Sequence, residues 1–249
     1  MIRSKLLMTA YIGKGYMVEE KVISIEYHNQ IGVLSLNRPE KAHAYDKKHL
    51  LELKACISAL SKSTVVVVRS VGHRAFCSGA DLSGMDKPTP LSALFLLSQQ
   101  VFTSLNQAPF VSIAAVHGPA VAGGCELALA CDLRVVGPKS WFELPETKIG
   151  LIPAAGGCNR LVQLIGLSRA KALILGGDVL NAEQALHCGL ANRIAEDPFQ
   201  EALQWAQSIQ NRSGLALQQA KKVLNSPSLH LERWTEGVLY AAKSSNNKN

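Results

Sequence analysis

The residues able to do chemistry in this 249-residue chain are two stretches of small residues and two glutamates. Arg74-Ala75-Phe76-Cys77-Ser78-Gly79-Ala80-Asp81-Leu82 follows a strand-like run. His117-Gly118-Pro119-Ala120-Val121-Ala122-Gly123-Gly124-Cys125-Glu126-Leu127 follows a second one and opens an apolar helix. Small residues let backbone N–H groups approach an external acceptor closely, and a pair of such groups is what an oxyanion hole requires. Glu126 lies three residues after Gly123, about one helical turn on, and Glu146 follows twenty residues later in Leu144-Pro145-Glu146. Two carboxylates in one pocket can divide acid–base work, one taking a proton while the other delivers one. Singly, each feature has a plainer explanation: glycines permit tight turns, and a first-turn glutamate is favoured by the helix dipole. Together they point to acid–base chemistry beside a carbonyl oxygen that gathers negative charge.

The elements that must position these groups alternate. Strands are expected at 22–27 and 31–37 around a turn at His28-Asn29-Gln30. Asp46 is a fitting N-cap for a helix reaching Leu60, whose apolar stripe is Leu50, Leu51, Leu53, Ile57 and Leu60. The β-branched run at 64–70 is too apolar for an exposed strand and suits a sheet covered on both faces. A helix is expected at 91–105, strands at 110–116 and 133–136, and a helix at 125–131 between them. This order argues for an α/β fold with the site on loops at strand ends. After about Leu161 helices dominate, at 168–175, 182–187, 199–211, 215–224 and 229–243. The expected organisation is an extension at 1–17, a core at 18–190, a helical region of the same domain at 191–243, and a polar tail at 244–249.

Several motifs occur in order: Asn37-Arg38-Pro39-Glu40-Lys41, the 76–82 loop, the 123–126 helix start, Pro145-Glu146, and Gly150-Leu151-Ile152-Pro153 followed by Gly156-Gly157. At these residues the chain resembles the enoyl-CoA hydratase/isomerase (crotonase) superfamily, over roughly residues 22–226. The resemblance implies a spiral of repeated β-β-α units, with C-terminal helices used in a homotrimer or a dimer of trimers. It implies Ala80 and Gly123 as backbone oxyanion donors, Glu126 on the attacking water and Glu146 protonating the α-carbon. It further implies an acyl-CoA substrate bound by Arg38, Lys41, Ala44, Ser78, Gly79, Asp81 and Leu82, with Lys221 or Lys222 as further basic candidates by general location. Coenzyme A then enters as part of the substrate, and no separate cofactor is expected. The implied reaction is hydration of a trans-2-enoyl-CoA. Alternatives are a double-bond isomerase, a thioester hydrolase, or a non-catalytic CoA- or RNA-binding relative. Two glutamates favour hydration over isomerases that use one.

Three departures from the family pattern stand out. His43-Ala44-Tyr45 replaces the commoner Asn-Ala-Leu, making His43 either a pocket residue or an ordinary loop histidine. The stretch after Met85, with Lys87-Pro88-Thr89-Pro90, is compact where the family shapes its acyl pocket. Cys158 and Asn159 follow Gly156-Gly157 where Thr and Gln or Ser are commoner.

Composition narrows the field. With 47% hydrophobic and 18% charged residues the chain is an ordinary globular one, and no apolar run approaches the ~20 residues of a membrane span. The net charge of +7 invites a nucleic-acid reading. The basic residues are scattered, however, and phosphate-bearing ligands also favour them. No motif supplies base readout, so no specific nucleic-acid partner is expected. The six cysteines form no C-x-x-C pair and the seven histidines lack ligand spacing, which argues against a metal and for a reducing compartment. That compartment is the cytoplasm, or the mitochondrial matrix in a eukaryote. Residues 1–17 carry Arg3, Lys5 and Lys14 without an acid; a dispensable extension is preferred over a targeting segment. No G-x-S-x-G occurs, which argues against a serine hydrolase.

Overall fold

A computed structural model describes residues 21–81, 83 and 96–246. Strands β1 (Ile23–His28) and β2 (Ile31–Leu36) form an antiparallel hairpin. Its turn places Asn29 and Gln30 at φ of 49° and 72°, the left-handed region that Asn tolerates better than most residues. From β2 the sheet continues in parallel through β3 (Val65–Ser70), β4 (Val111–Val116), β6 (Leu133–Val136) and β9 (Arg193–Ile194). Helices α1 (Lys47–Ala59), α2 (Leu97–Asn106) and α3 (Gly123–Ala130) lie in the connections between its parallel strands. Asp46 caps α1 as expected, its Oδ1 accepting the His49 N–H at 3.0 Å.

Alternate side chains of each strand point to opposite faces. Leu34, Val66, Val68, Ala114 and Val116 pack towards α1, α2 and α3, with Phe76, Phe102 and Leu127 filling that side. Val33, Val65, Val67, Ile113 and Val135 pack instead on Ala202, Ala206 and Ile209 of a later helix, Pro198–Gln210. Both faces of the 65–68 run are therefore covered, which explains its unbroken apolar sequence.

A second, three-stranded sheet joins β5 (Ala120–Val121), β7 (Trp141–Glu143) and β8 (Leu180–Asn181). Strands of two or three residues carry no readable period, so the sequence reading missed them. The chain then continues through α4 (Gly157–Lys171), α5 (Ala182–His187), α6 (Pro198–Gln210), α7 (Gly214–Asn225) and α8 (Leu229–Asn246). Helix α4 begins eleven residues before the expected start at 168, is broken at Gly166 (φ 79°, ψ 161°), and leads into a π turn at Ala172–Gly176. Helix α8 reaches Asn246, so the tail expected from 244 is helical for its first three residues.

Lys221 is corrected from a ligand-facing rim residue to a core one. Its side chain is 8% exposed, and Nζ donates to the Phe110 carbonyl and to Asp132 Oδ2, both at 2.8 Å. The same carboxylate oxygen accepts from the Ser112 N–H at 2.7 Å and the Ser112 hydroxyl at 2.9 Å. Asp132 thus ties α7 to the start of β4. Lys222, one residue on, is exposed. All six cysteines are free thiols.

Candidate active site

The two loops picked out by their small residues are tied together. Phe76 N–H donates to the Pro119 carbonyl at 2.9 Å and Val121 N–H to the Cys77 carbonyl at 3.0 Å. A side chain on Gly124 would place its Cβ 1.9 Å from the Cys77 oxygen, so only glycine lets the start of α3 approach the 77–81 loop this closely. Gly79, at φ 91°, lets the loop turn against the Gly123 nitrogen. Beyond it, Tyr45 N–H donates to the Gly79 carbonyl at 2.9 Å and Asp81 N–H to the Tyr45 carbonyl at 2.8 Å. Ala80 bridges Tyr45 in parallel between these bonds, and its own N–H takes no acceptor among the described residues. The N–H of Gly123, first residue of α3, is likewise free of backbone acceptors among them. Neither N–H is thus spent on a backbone acceptor among the described residues, and that of Gly123 sits at the positive end of a helix dipole.

Just before Gly123, Ala122 is held at φ 50°, ψ −126°, a conformation an L-residue reaches only with strain. Its N–H donates to the Glu143 carbonyl at 2.9 Å, anchoring the strained turn to the small sheet.

Asp81 is the clamp of the donor loop. Hydrogen bonds from the Ser83 side chain and N–H hold its carboxyl down at about 2, with the Arg38 guanidinium helping. Arg38 Nη1 lies 2.9 Å from Asp81 Oδ2 and donates to the Ala44 carbonyl at 3.0 Å. Arg38 thus joins two loops. His43 joins them too: its Nδ1 accepts from Arg38 N–H at 3.1 Å while Nε2 lies 2.8 Å from the Val71 carbonyl. That pairing assigns the neutral Nε2–H tautomer, and burial holds its pKa below the usual histidine value. Both nitrogens are engaged, so His43 is a loop-holding residue. Of the remaining expected ligand-binding positions, Lys41 and Ser78 are exposed and Ala44 is buried. Leu82 and the 84–95 stretch that departs from the family lie outside the described residues.

Glu126 projects from the first turn of α3 and is 3% exposed. Its Oε1 accepts the Gly157 N–H at 2.8 Å, at the start of α4. A Cβ on Gly157 would crowd both this oxygen, at 3.0 Å, and Pro153, at 2.7 Å. Burial pushes the Glu126 carboxyl up to about 7; the Gly157 N–H opposes the rise and the nearby Glu146 carboxylate adds to it. Arg160 stands behind this turn, donating to the Ala155 carbonyl at 3.0 Å and to Thr103 Oγ1 at 3.2 Å. Its guanidinium fills the space a Gly156 side chain would need.

Glu146 opens a single helical turn, Glu146–Ile149, after Pro145. Burial also raises its pKa, with the Glu143 charge adding to the effect. Its Oε2 is buried with no hydrogen-bond partner among the described residues. Buried polar atoms are nearly always satisfied, so this one marks a place where a bound group would complete the pairing. The two glutamates thus lie near enough for their charges to interact, and burial favours the protonated form of each.

A family model described as enoyl-CoA hydratase/isomerase matches residues 26–238. The chain belongs to this family. It is 35% identical over 218 residues to the "Probable enoyl-CoA hydratase echA6" of Mycobacterium tuberculosis, covering 86% of each chain. It is 34% identical over 216 residues to the crotonyl-CoA hydratase of Syntrophomonas wolfei, covering 84% of this chain and 83% of that one. Among solved structures, the enoyl-CoA hydratase of Bacillus anthracis superposes with a TM-score of 0.83 at 30% identity, covering 92% of this chain and 97% of that one. The α/β fold with a helical C-terminal region is the fold of this family. No helix among the described residues is long and apolar enough to cross a membrane.

Two site residues lay beyond sequence reasoning. Gly157 was visible only as half of a glycine pair; that its N–H reaches Glu126 depends on a contact 31 residues away in sequence. Arg160 carried no signal beyond following that pair.

Proposed function

We propose that this member of the family hydrates trans-2-enoyl thioesters of coenzyme A. The thioester oxygen accepts from the N–H groups of Ala80 and Gly123. Glu126, as carboxylate, takes a proton from a water as its oxygen bonds to C3. The C2=C3 π pair moves to C2 and the thioester oxygen, where the two donors hold the enolate charge. Protonated Glu146 delivers a proton to C2 on the same face, giving the 3-hydroxyacyl thioester by syn addition. Each oxyanion donor of this kind typically contributes ~3 kcal/mol to barrier lowering. The step uses neither a metal nor a redox cofactor.

The observation that carries the reading is buried Glu126 beside half-buried Glu146, both with raised pKa, the second with a buried oxygen that has no partner among the described residues. An isomerase needs one carboxylate to carry a proton between carbons; the second favours hydration. In this reading Lys41 meets the coenzyme A phosphates, while Arg38 acts through Asp81 on the donor loop. Assembly as a homotrimer or a dimer of trimers belongs to the same proposal, supported by exposed Trp234, Val238 and Tyr240 on α8. The site of action is the cytoplasm or the mitochondrial matrix. Purified chain should bleach the conjugated thioester absorbance of crotonyl-CoA in proportion to enzyme. Saturable binding of crotonyl-CoA without any loss of that absorbance would refute hydration.

A further inference from the structure

Tyr45 stands where the family more commonly has leucine, and its hydroxyl lies directly over Gly123. A Cβ built on Gly123 would sit 1.9 Å from the Tyr45 oxygen, 2.8 Å from Cζ and 3.0 Å from Cε1. The ring is fixed at both ends. Its backbone is bonded to Gly79 and Asp81 of the donor loop. Its edge packs on Phe102 of α2 at 5.7 Å and 88°, and its hydroxyl bonds to the Ser98 side chain. Beside it, bounded by Leu36, Leu53 and Leu127 and by the polar Arg38, His43 and His49, remains a cavity of about 20 Å³. That is room for about one water and no more. The space next to Gly123 is therefore occupied by an anchored aromatic ring. A leucine at this position would reach less far and would leave the hydroxyl's place beside Gly123 open.

We propose that Tyr45 is a specificity-determining residue that closes the acyl site beside the oxyanion donors and restricts the enzyme to short-chain thioesters. This rests on the acyl-CoA reading of the same site. Removing the ring would join its volume, which reaches Gly123, to the cavity beside it. A longer acyl chain can then turn into that space and gain the burial of its methylenes.

The test uses the full chain and unreactive saturated ligands, so that it does not depend on catalysis. Calorimetry gives the Kd values of butyryl-CoA and octanoyl-CoA for wild type, Tyr45→Phe, Tyr45→Leu and Tyr45→Ala, with circular dichroism checking the fold. Wild type should favour butyryl-CoA, and Tyr45→Phe, which keeps the ring, should hold the same ratio. Tyr45→Leu should shift the ratio at least tenfold towards octanoyl-CoA, and Tyr45→Ala further if it folds. An unchanged ratio in folded Tyr45→Leu overturns the assignment while leaving the acyl-CoA reading intact. A wild type that prefers octanoyl-CoA also overturns it. Failure of wild type to bind either ligand overturns both.

Discussion

Replacing Glu126 by Gln should weaken catalysis and strengthen the fold, by amounts that depend on pH in opposite ways. The carboxyl is 3% exposed and titrates at about 7 rather than the ordinary 4.5. The folded state thus holds the Glu126 proton more tightly than the unfolded chain does. Below pH 4.5 both states are protonated and the group costs nothing. As pH rises from 4.5 through 7 the unfolded state ionises first, and stability is lost; above 7 the loss levels off at roughly 3 kcal/mol. Gln keeps an oxygen for the Gly157 N–H and carries no charge. Urea denaturation of both proteins between pH 4.5 and 8.5 should therefore show matching stabilities at the acid end. The variant should gain steadily to about 3 kcal/mol by pH 8. The same variant should lose ~10²-fold or more in kcat with crotonyl-CoA, the usual scale for a positioned acid or base. A stability difference flat across the range would refute the account of Glu126 as a buried, strained carboxylate. Near-normal turnover would refute its role as the base.

Other perturbations probe the neighbouring parts. Glu146→Gln should also cut kcat by ~10²-fold, yet circular dichroism should find its fold unchanged; normal turnover would remove it from the proposed step. Arg160→Met withdraws a positive charge that favours ionised Glu126, so the acid limb of the kcat/KM profile should move to higher pH. An unmoved limb, with normal folding, would show that Arg160 does not tune this carboxylate. Ala122→Gly relieves an L-residue held at φ 50°, ψ −126° and should stabilise the chain by about 1 kcal/mol in denaturant titrations; a loss of stability would show that the turn is not strained.

What the sequence made legible was local. The apolar run at Val65–Ser70, the Asp46 cap and the Gly123–Glu126 helix start each signal themselves within a few residues, through period, cap chemistry or glycine spacing. The family motifs, being ordered along the chain, extended this to the fold and to both glutamates. What stayed hidden depends on contacts between distant segments. The Lys221 side chain reads as surface charge until α7 brings it to Asp132, 89 residues away. Gly157 becomes a donor to Glu126 only when α4 docks on α3. The β5, β7 and β8 strands are too short to show alternation. Tyr45 was visible as a departure from the family, but its contact with Gly123 comes from the pairing of the 45 and 80 segments, which no local pattern encodes. Arg38 was legible as a basic residue in a motif, but its pairing with Asp81 depends on a segment 43 residues away.

The most direct test of the central claim is to run the reaction with crotonyl-CoA in D2O and read the product by NMR and mass spectrometry. Hydration through a carboxylate pair predicts 3-hydroxybutyryl-CoA with one deuterium at C2, placed on a single face. It also predicts that this product is absent with Glu126→Gln and Glu146→Gln on the same timescale. Deuterium appearing in recovered or double-bond-shifted enoyl-CoA, without addition of water at C3, would contradict it.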